Sequence, residues 1–273
     1  MSDPIPLRLD ANLKWLFTEL PFEQRFDAAA QAGFTAVEFP SPYEYPAEQL
    51  IRRLADAGLR QILLNTPTGP PDGPTRSGCA CQPDRVAEFR NGLLSALDYA
   101  TALDVPIVHV MGGIQPPDVP RDQAFATYVA NLAWAVAQAE QTGVTLVLEA
   151  INRRDVPGFV LESLEQADGV VQAIGSDRLA LLFDVYHCQV GQGDVATRWR
   201  RLYPRVAHVQ IGDAPDRTEP GTGELNWEFL FGEIARTGYT GWIGCEYHPV
   251  ADTAAGLAWR DRYSIGAAPA ATR

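Results

Sequence analysis

The sequence lacks long hydrophobic runs, and this absence excludes an integral membrane protein. No apolar stretch approaches the ~20 residues that a transmembrane helix requires. The first residues, 1–7, also lack a basic segment followed by an apolar one, which is the pattern of a secretion signal. We therefore expect a cytoplasmic protein with no membrane partner.

Positive charge is also scarce, which argues against nucleic acid as a partner. The chain has 22 Lys and Arg against 34 Asp and Glu, a formal net charge of −12. Binding to a nucleic-acid backbone depends on basic side chains that neutralise phosphates. Lys14 is the only lysine, so a Schiff-base mechanism would have to use this one residue.

Cysteine and histidine are few, with four residues each. Cys79 and Cys81 are separated by one residue, which is too close for the C-x-x-C spacing of redox motifs and zinc half-sites. In a cytoplasmic protein we expect these cysteines, together with Cys188 and Cys245, to be free thiols. Four histidines are also too few for a multi-zinc centre rich in His.

What the sequence contains is a regular alternation of strand-like and helix-like segments. Eight such units at this length predict a parallel sheet closed into a single-domain (β/α)8 TIM barrel of the α/β class, over about residues 7–260. An open doubly wound sheet is the alternative, although the first βα turn has no G-x-G-x-x-G motif. We expect an unstructured tail over 264–273 and, after the third strand, a Pro- and Gly-rich binding loop over 66–78. The predicted strands are Leu7–Asn12, Ala36–Phe39, Gln61–Asn65, Ile107–Val110, Thr145–Glu149, Leu179–Asp184, Val206–Gln210 and Trp242–Glu246.

Predicted helices follow the strands, and glycines close several of them. They cover about Pro21–Ala32, Pro46–Ala57, Asp84–Leu103, Asp122–Gln141, Ser163–Ile174, Asp194–Leu202, Asn226–Arg236 and Thr253–Trp259.

Four consecutive strands each end on a side chain that bears an oxygen: Glu149, Asp184, Gln210 and Glu246. Side chains at the carboxyl ends of barrel strands face a common site. Three carboxylates and an amide are hard oxygen donors, so the pattern predicts a divalent cation, Mg²⁺ or Mn²⁺. The alternative for each acid alone is a strand end that faces solvent.

A cation flanked by two glutamates suits one class of reaction. The ion holds a carbonyl oxygen and a neighbouring hydroxyl together and stabilises an enediolate. One glutamate removes the proton next to the carbonyl and a partner returns a proton elsewhere. We therefore predict that Glu149 and Glu246 are catalytic, in an isomerase that needs no redox cofactor or nucleophile.

Other polar residues near the strand ends are candidates to bind a small polyol or keto acid. Asp155 follows Glu149, and His187 follows Asp184 by three residues. Arg217 either holds a substrate carboxylate or is a solvated loop charge. His109 and His248 lie near strand ends, where packing is the alternative to a role in the site. The predicted substrate-binding residues are Asn65, His109, Asp155, His187 and Arg217.

Several motifs resemble those of the hydroxypyruvate isomerase family, within the xylose-isomerase-like TIM barrels. The resemblance spans about residues 7–259. It is most specific in the E-P-G-T-G-E stretch and the G-C-E-Y strand. The segments that carry it are Ala11–Leu13, Gly33–Phe39, Glu149–Asn152, Asp155–Phe159, Phe183–His187, His208–Gln210, Glu219–Glu224 and Gly241–Tyr247.

The resemblance implies reversible conversion of hydroxypyruvate to 2-hydroxy-3-oxopropanoate (tartronate semialdehyde). It implies that Glu149 and Glu246 are the proton-transfer pair and that Glu149, Asp184, Gln210 and Glu246 hold the metal. In related ketose 3-epimerases a His is usual at the position of Gln210, so this residue favours the isomerase branch. The sequence departs from the family pattern at Lys14, where a small polar residue is common, and at Leu64, where a His is common.

Four alternatives remain open from the sequence. Two of them concern the substrate: an acid one carbon longer, as in the 2-oxo-tetronate isomerases of the same family, or a neutral sugar, as in the ketose 3-epimerases. A DNA-repair endonuclease on the same barrel would need more histidines and a basic groove. A non-catalytic sugar-binding protein would not require Glu149 and Glu246. A homo-oligomer is compatible with the sequence, which leaves the oligomeric state open.

Overall fold

The computed structural model describes residues 7–265. Residues 1–6 and most of the predicted tail lie outside the described part. Of that tail, only Ser264 and Ile265 are described, and Ile265 is buried with its N–H donating to the Arg260 carbonyl at 2.9 Å.

Nine parallel strand segments form one sheet. They are β1 (Arg8–Asn12), β2 (Ala36–Glu38), β3 (Arg60–Gln61), β4 (Leu63–Asn65), β5 (Ile107–His109), β6 (Thr145–Glu149), β7 (Leu179–Asp184), β8 (Val206–Ile211) and β9 (Trp242–Cys245). β1 pairs with β2 and also with β9. β3 pairs with β2, and from β4 to β9 each strand pairs with the next one in the chain. All of these pairings are parallel, as expected when each crossover between strands carries a helix.

The ring closes through the predicted third strand, which is divided at Ile62. Its first half, β3, pairs with β2, and its second half, β4, pairs with β5. The Ile62 N–H donates to the Val37 carbonyl at 2.9 Å and maintains the link to β2. The two halves count as one barrel strand, which confirms the predicted (β/α)8 architecture.

Helices surround the barrel and follow the predicted pattern. They are α1 (Phe22–Gln31), α2 (Ala47–Ala57), α3 (Val86–Ala102), α4 (Arg121–Ala139), α5 (Leu164–Ile174), α6 (Val185–Gly191), α7 (Val195–Leu202), α8 (Trp227–Arg236), α9 (Thr253–Gly256) and α10 (Trp259–Tyr263). The Ser163 hydroxyl caps α5 by accepting from the Gln166 N–H at 3.1 Å. Within residues 7–265, no helix combines the length and the hydropathy needed to cross a membrane.

The helices differ from the prediction at two places. The segment after Asp184 forms α6, which the sequence analysis missed because its Val and Tyr residues favour strands. The Asp184 carboxylate caps this helix by accepting from the His187 N–H at 2.9 Å. The predicted last helix, Thr253–Trp259, is divided into α9 and α10.

The barrel interior is apolar on one side and polar on the other. The apolar side is a buried cluster of Ala36, Ile62, Leu63, Ile107, Val147 and Leu182. On the polar side, His208 lies one layer below Gln210, as the alternation of side chains along a strand predicts. Asp10 and His208 are completely buried there. Free thiols are confirmed for all four cysteines, each of which is buried.

Candidate active site

The four predicted strand-end residues form one continuous cluster at the carboxyl ends of β6–β9. Oxygen atoms of Glu149 and Asp184 lie within 4.8 Å of each other. The Gln210 amide donates to Glu246 Oε2 at 2.6 Å. One Arg217 nitrogen, Nη2, contacts Asp184 Oδ2 at 3.2 Å and Glu246 Oε1 at 2.5 Å, and so joins the two pairs. The fold thus brings together side chains that lie up to 97 positions apart in the sequence.

Arg217 lies inside this cluster and not in solvent. Its side chain is 11% exposed. The guanidinium carbon is 4.5 Å from the ring centroid of Trp15 and 4.9 Å from that of Tyr186. Its backbone is left-handed, with φ of 55°, and its carbonyl accepts from the His248 N–H at 2.8 Å. Two carboxylates and two aromatic rings therefore hold this cation in place.

Two residues that the sequence analysis did not assign, Asn12 and Glu38, support Glu246 from behind. Glu38 Oε1 accepts from Asn12 Nδ2 at 2.7 Å and from Gln210 Nε2 at 2.8 Å. The same Asn12 nitrogen donates to Glu246 Oε2 at 2.8 Å. Both amide nitrogens thus bridge the two carboxylates, and Gln210 is left with its oxygen as the free ligand group. Glu38 also ends a strand, so the pattern that identified the other acids could have identified it.

Burial changes the acidity of the two predicted catalytic glutamates. Desolvation, reinforced by Asp184, raises the pKa of Glu149 well above its ordinary value. Desolvation also raises the pKa of Glu246 to about 7, although the positive charge of Arg217 opposes the shift. Buried carboxyl groups with raised pKa values are typical of proton-transfer residues.

A hydrogen-bond network fixes the ring of His187. The Asn152 Oδ1 atom accepts from the Asp155 N–H at 3.0 Å, which orients the amide so that its nitrogen faces His187 Nδ1 at 2.7 Å. Nδ1 therefore accepts, and the ring proton lies on Nε2, 3.7 Å from Glu149 Oε1. Burial lowers the pKa of His187 well below its ordinary value, so the ring is neutral. A neutral ring with Nε2–H is a hydrogen-bond donor to a substrate oxygen.

The remaining predicted substrate-binding residues also line the cavity. His109 is buried, with Nε2 3.7 Å from Glu149 Oε2, and burial lowers its pKa to about 4. Asp155 accepts from the Tyr186 hydroxyl at 2.8 Å. Asn65 contacts the Met111 sulfur at 3.3 Å. The structure brings all five of these predicted residues to one cavity, and their roles stay predictions.

The E-P-G-T-G-E stretch is held in place by one buried carboxylate. Asp213 Oδ2 accepts from the Gly221 and Gly223 N–H groups, both at 2.9 Å, and Oδ1 accepts from the Leu225 N–H at 3.2 Å. A Cβ at position 223 would lie 1.9 Å from the Ala214 carbonyl oxygen, so only glycine fits there. This loop carries Arg217 into the site.

The catalytic cavity has a volume of about 190 Å³. Its wall includes the acids Glu149 and Glu246 together with Asn12, His187, Gln210 and Arg217. Glu149 Oε1 and His109 Nε2 are buried and have no hydrogen-bond partner among the described residues. Buried polar atoms without partners are costly, so these two point to a ligand in the cavity.

The cavity offers a group of potential metal ligands: one ligand atom each of Glu149, Asp184 and His187 lies within 4.8 Å of the others. The carboxylates of Glu149 and Asp184, the Glu246 carboxylate and the Gln210 oxygen are hard donors of the kind that Mg²⁺ and Mn²⁺ prefer. Glu149 Oε1 is a buried acceptor for which a cation would be a partner. Within residues 7–265, a second group of potential ligands, Asp10, Glu38 and His208, lies one layer deeper in the barrel.

Comparisons with known proteins agree with this architecture. A family model described as xylose isomerase-like TIM barrel matches residues 26–263. The chain is 43% identical over 256 residues to a 2-oxo-tetronate isomerase of Cupriavidus necator, covering 94% of this chain and 98% of the relative. It is 40% identical over 257 residues to a hydroxypyruvate isomerase of Escherichia coli, covering 94% of this chain and 99% of the relative.

The solved structures include a protein described as an AP endonuclease, family 2, from Brucella melitensis. It superposes with a TM-score of 0.90 at 38% identity, over 95% of this chain and 99% of that one. An L-ribulose 3-epimerase superposes with a TM-score of 0.74 at 23% identity, which shows a shared fold.

Proposed function

The chain belongs to the xylose isomerase-like TIM barrel family and is an isomerase, and we propose that it acts on small hydroxy-keto acids. The reaction that we propose is the interconversion of hydroxypyruvate and 2-hydroxy-3-oxopropanoate. The carboxylate pair Glu149 and Glu246, at one cavity with raised pKa values, is the observation that carries this proposal.

The proton balance of this reaction matches two glutamates. In hydroxypyruvate the C3–H bond breaks and a C2–H bond forms, while the C3 hydroxyl proton moves to the C2 oxygen. A glutamate that accepts the C3 proton leaves an enediolate, and a glutamate that donates to C2 completes the product. The pKa of Glu246, raised to about 7, allows this carboxyl to exist in both protonation states near neutral pH, and burial raises the pKa of Glu149 in the same direction.

Other residues bind and orient the substrate. The Nε2–H of His187 lies 3.7 Å from Glu149 and is placed to donate to a substrate oxygen beside that carboxylate. Arg217 offsets the negative charge of Asp184 and Glu246, which would otherwise repel an anionic substrate.

A divalent cation would be held by Glu149, Asp184, Gln210 and Glu246. When bound, it supplies Lewis-acid stabilisation of the negative charge that develops on the substrate oxygens. Glu38 and Asn12 keep the Gln210 oxygen and the Glu246 carboxylate in place for that role.

The endonuclease alternative is less well supported by the site, despite the description of one solved relative. Each of the two groups of potential ligands in residues 7–265 contains one histidine, and the chain carries a net charge of −12. Neither feature suits a multi-zinc centre on a DNA backbone.

A substrate panel tests the proposal. Purified protein is assayed with hydroxypyruvate, 2-oxo-tetronate and a neutral ketose, each with Mg²⁺, with Mn²⁺ and after chelation. We expect turnover of one or both acids with metal, and its loss on chelation. Turnover of the neutral ketose alone, or full activity in metal-free protein, would contradict the proposal.

A further inference from the structure

A second chamber adjoins the catalytic cavity at the barrel mouth. It has a volume of about 420 Å³ and lies among the loops that follow β1, β2 and β4. The two cavities share five lining residues, so they are continuous. The shared residues are Lys14, Pro40, Asn65, Arg76 and Met111.

This second chamber is cationic, in contrast to the acidic catalytic cavity. Its wall contains Lys14, Arg25 and Arg76 but only one carboxylate, Glu44. None of the three cations forms an ion pair among the described residues, whereas 12 other ion pairs in that part of the chain involve arginine. In a chain of net charge −12, three unpaired cations around one chamber create a local attraction for anions.

Arg217, the cation of the catalytic cavity, is less available than Lys14 and Arg76, and Arg25 already donates to the Leu20 and Leu13 carbonyls at 2.9 and 2.7 Å. Arg217 Nη2 already contacts Asp184 and Glu246, and its guanidinium lies against two aromatic rings. Lys14 and Arg76 are exposed side chains at the junction of the two cavities. Arg76 makes one contact with a main-chain oxygen, 3.5 Å from Gly73, and Lys14 lies 5.7 Å from the Trp15 ring centroid.

We propose that the cationic chamber is a binding subsite for the anionic group of an acyclic hydroxy-keto substrate, which enters it past Lys14 and Arg76. The reacting carbons lie against Glu149 and Glu246, and this placement rests on the proposed function. The carboxylate of a three- or four-carbon acid reaches the junction. The space beyond accepts a longer chain or a phosphate ester. The chamber thereby selects anionic substrates over neutral sugars of the same length.

The test measures equilibrium binding, which does not depend on turnover. Calorimetry compares three probes with a four-carbon backbone on Mg²⁺-loaded protein: neutral erythritol, erythronate, and erythritol 4-phosphate. The variants are Lys14→Gln, Arg76→Gln and the double variant. Arg60→Gln is the control, because Arg60 is an exposed, unpaired arginine at the start of β3, at the opposite end of the barrel.

We expect at least one anion to bind about tenfold or more tightly than erythritol, as one or two charge-assisted contacts would provide. The ratio of anion affinity to erythritol affinity should fall about threefold or more in each single variant and approach one in the double variant. Arg60→Gln should keep the wild-type ratio. Whichever anion loses its advantage identifies the group that the chamber accepts. Equal binding of charged and neutral probes, or a full anion advantage in the double variant, would overturn the proposal. If the protein lacks isomerase activity but these ratios hold, the proposed reaction fails and the subsite stands.

Discussion

At the residue scale, the orientation of the catalytic groups depends on Glu38. This buried carboxylate accepts hydrogen bonds from Asn12 and Gln210 and contacts His208 Nε2 at 2.7 Å. Through the two amides it determines which atoms Glu246 and Gln210 present to the cavity. The sequence placed a glutamate at the end of this strand, but no local pattern indicates that its partners are two amides, 26 and 172 positions away in the chain.

Replacement of Glu38 should therefore affect stability and metal binding together. Glu38→Ala removes one of the two carboxylates that accept from each buried amide, together with the partner of the buried His208 ring, and we expect the free energy of unfolding to fall by about 2–4 kcal/mol. Mg²⁺ affinity should fall as well, because the Gln210 amide is then held by Glu246 alone. Glu38→Gln keeps a carbonyl oxygen that accepts from both amides, so its losses should be smaller. Urea unfolding and calorimetric titration measure both effects, and a Glu38→Ala protein with wild-type stability and affinity would refute this role.

At the element scale, the strands were more predictable than the segments that follow them. Apolar β-branched runs that end on an oxygen-bearing side chain marked β6, β7 and β8, and the structure ends them within one residue of the prediction. Helix α6 was missed because its Val and Tyr residues favour strands, although Asp184 at its start is a good N-cap residue. The position of Arg217 was also beyond local pattern, because it depends on a loop folded around the distant Asp213.

The loop that carries Arg217 should lose its order when Asp213 is replaced. Asp213→Ala removes the acceptor of three backbone N–H groups. We expect faster amide hydrogen exchange at Gly221, Gly223 and Leu225, and a higher KM for the substrate as Arg217 moves. Asp213→Asn keeps one acceptor oxygen, so its exchange rates and KM should lie between those of the wild type and those of Asp213→Ala. Unchanged exchange at these three amides in Asp213→Ala would contradict this account of the motif.

At the scale of the whole molecule, the sequence predicted the barrel and the arc of acids but not the distribution of charge around the mouth. Glu149, Asp184 and Glu246 lie on or next to β6, β7 and β9, and Lys14 and Arg76 lie in the loops that follow β1 and β4. Net charge alone is the same for any arrangement of these residues. Only the closed ring places the two groups around a single opening.

The buried acids should make the stability of the metal-free protein depend on pH. The pKa of Glu246 is raised from an ordinary 4.5 to about 7, so between these values the native state binds more protons than the unfolded state. Stability should therefore fall as pH rises through this window. Divalent cations bind the ionised carboxylates, so Mg²⁺ should raise Tm more near the upper end of the window than near the lower end. In Glu246→Gln the stability of the metal-free protein should depend less steeply on pH. An equal slope in the variant and the wild type would contradict the raised pKa of Glu246.

The most direct test of the isomerisation is NMR of hydroxypyruvate with Mg²⁺-loaded protein in D₂O. We predict 2-hydroxy-3-oxopropanoate with solvent deuterium at C2. We predict a rate about 10²–10⁴-fold lower in Glu246→Gln, at an unchanged circular dichroism spectrum. Glu228→Gln, an exposed glutamate on α8, is the matched control and should behave as wild type. Deuterated product at the wild-type rate in Glu246→Gln would contradict the account.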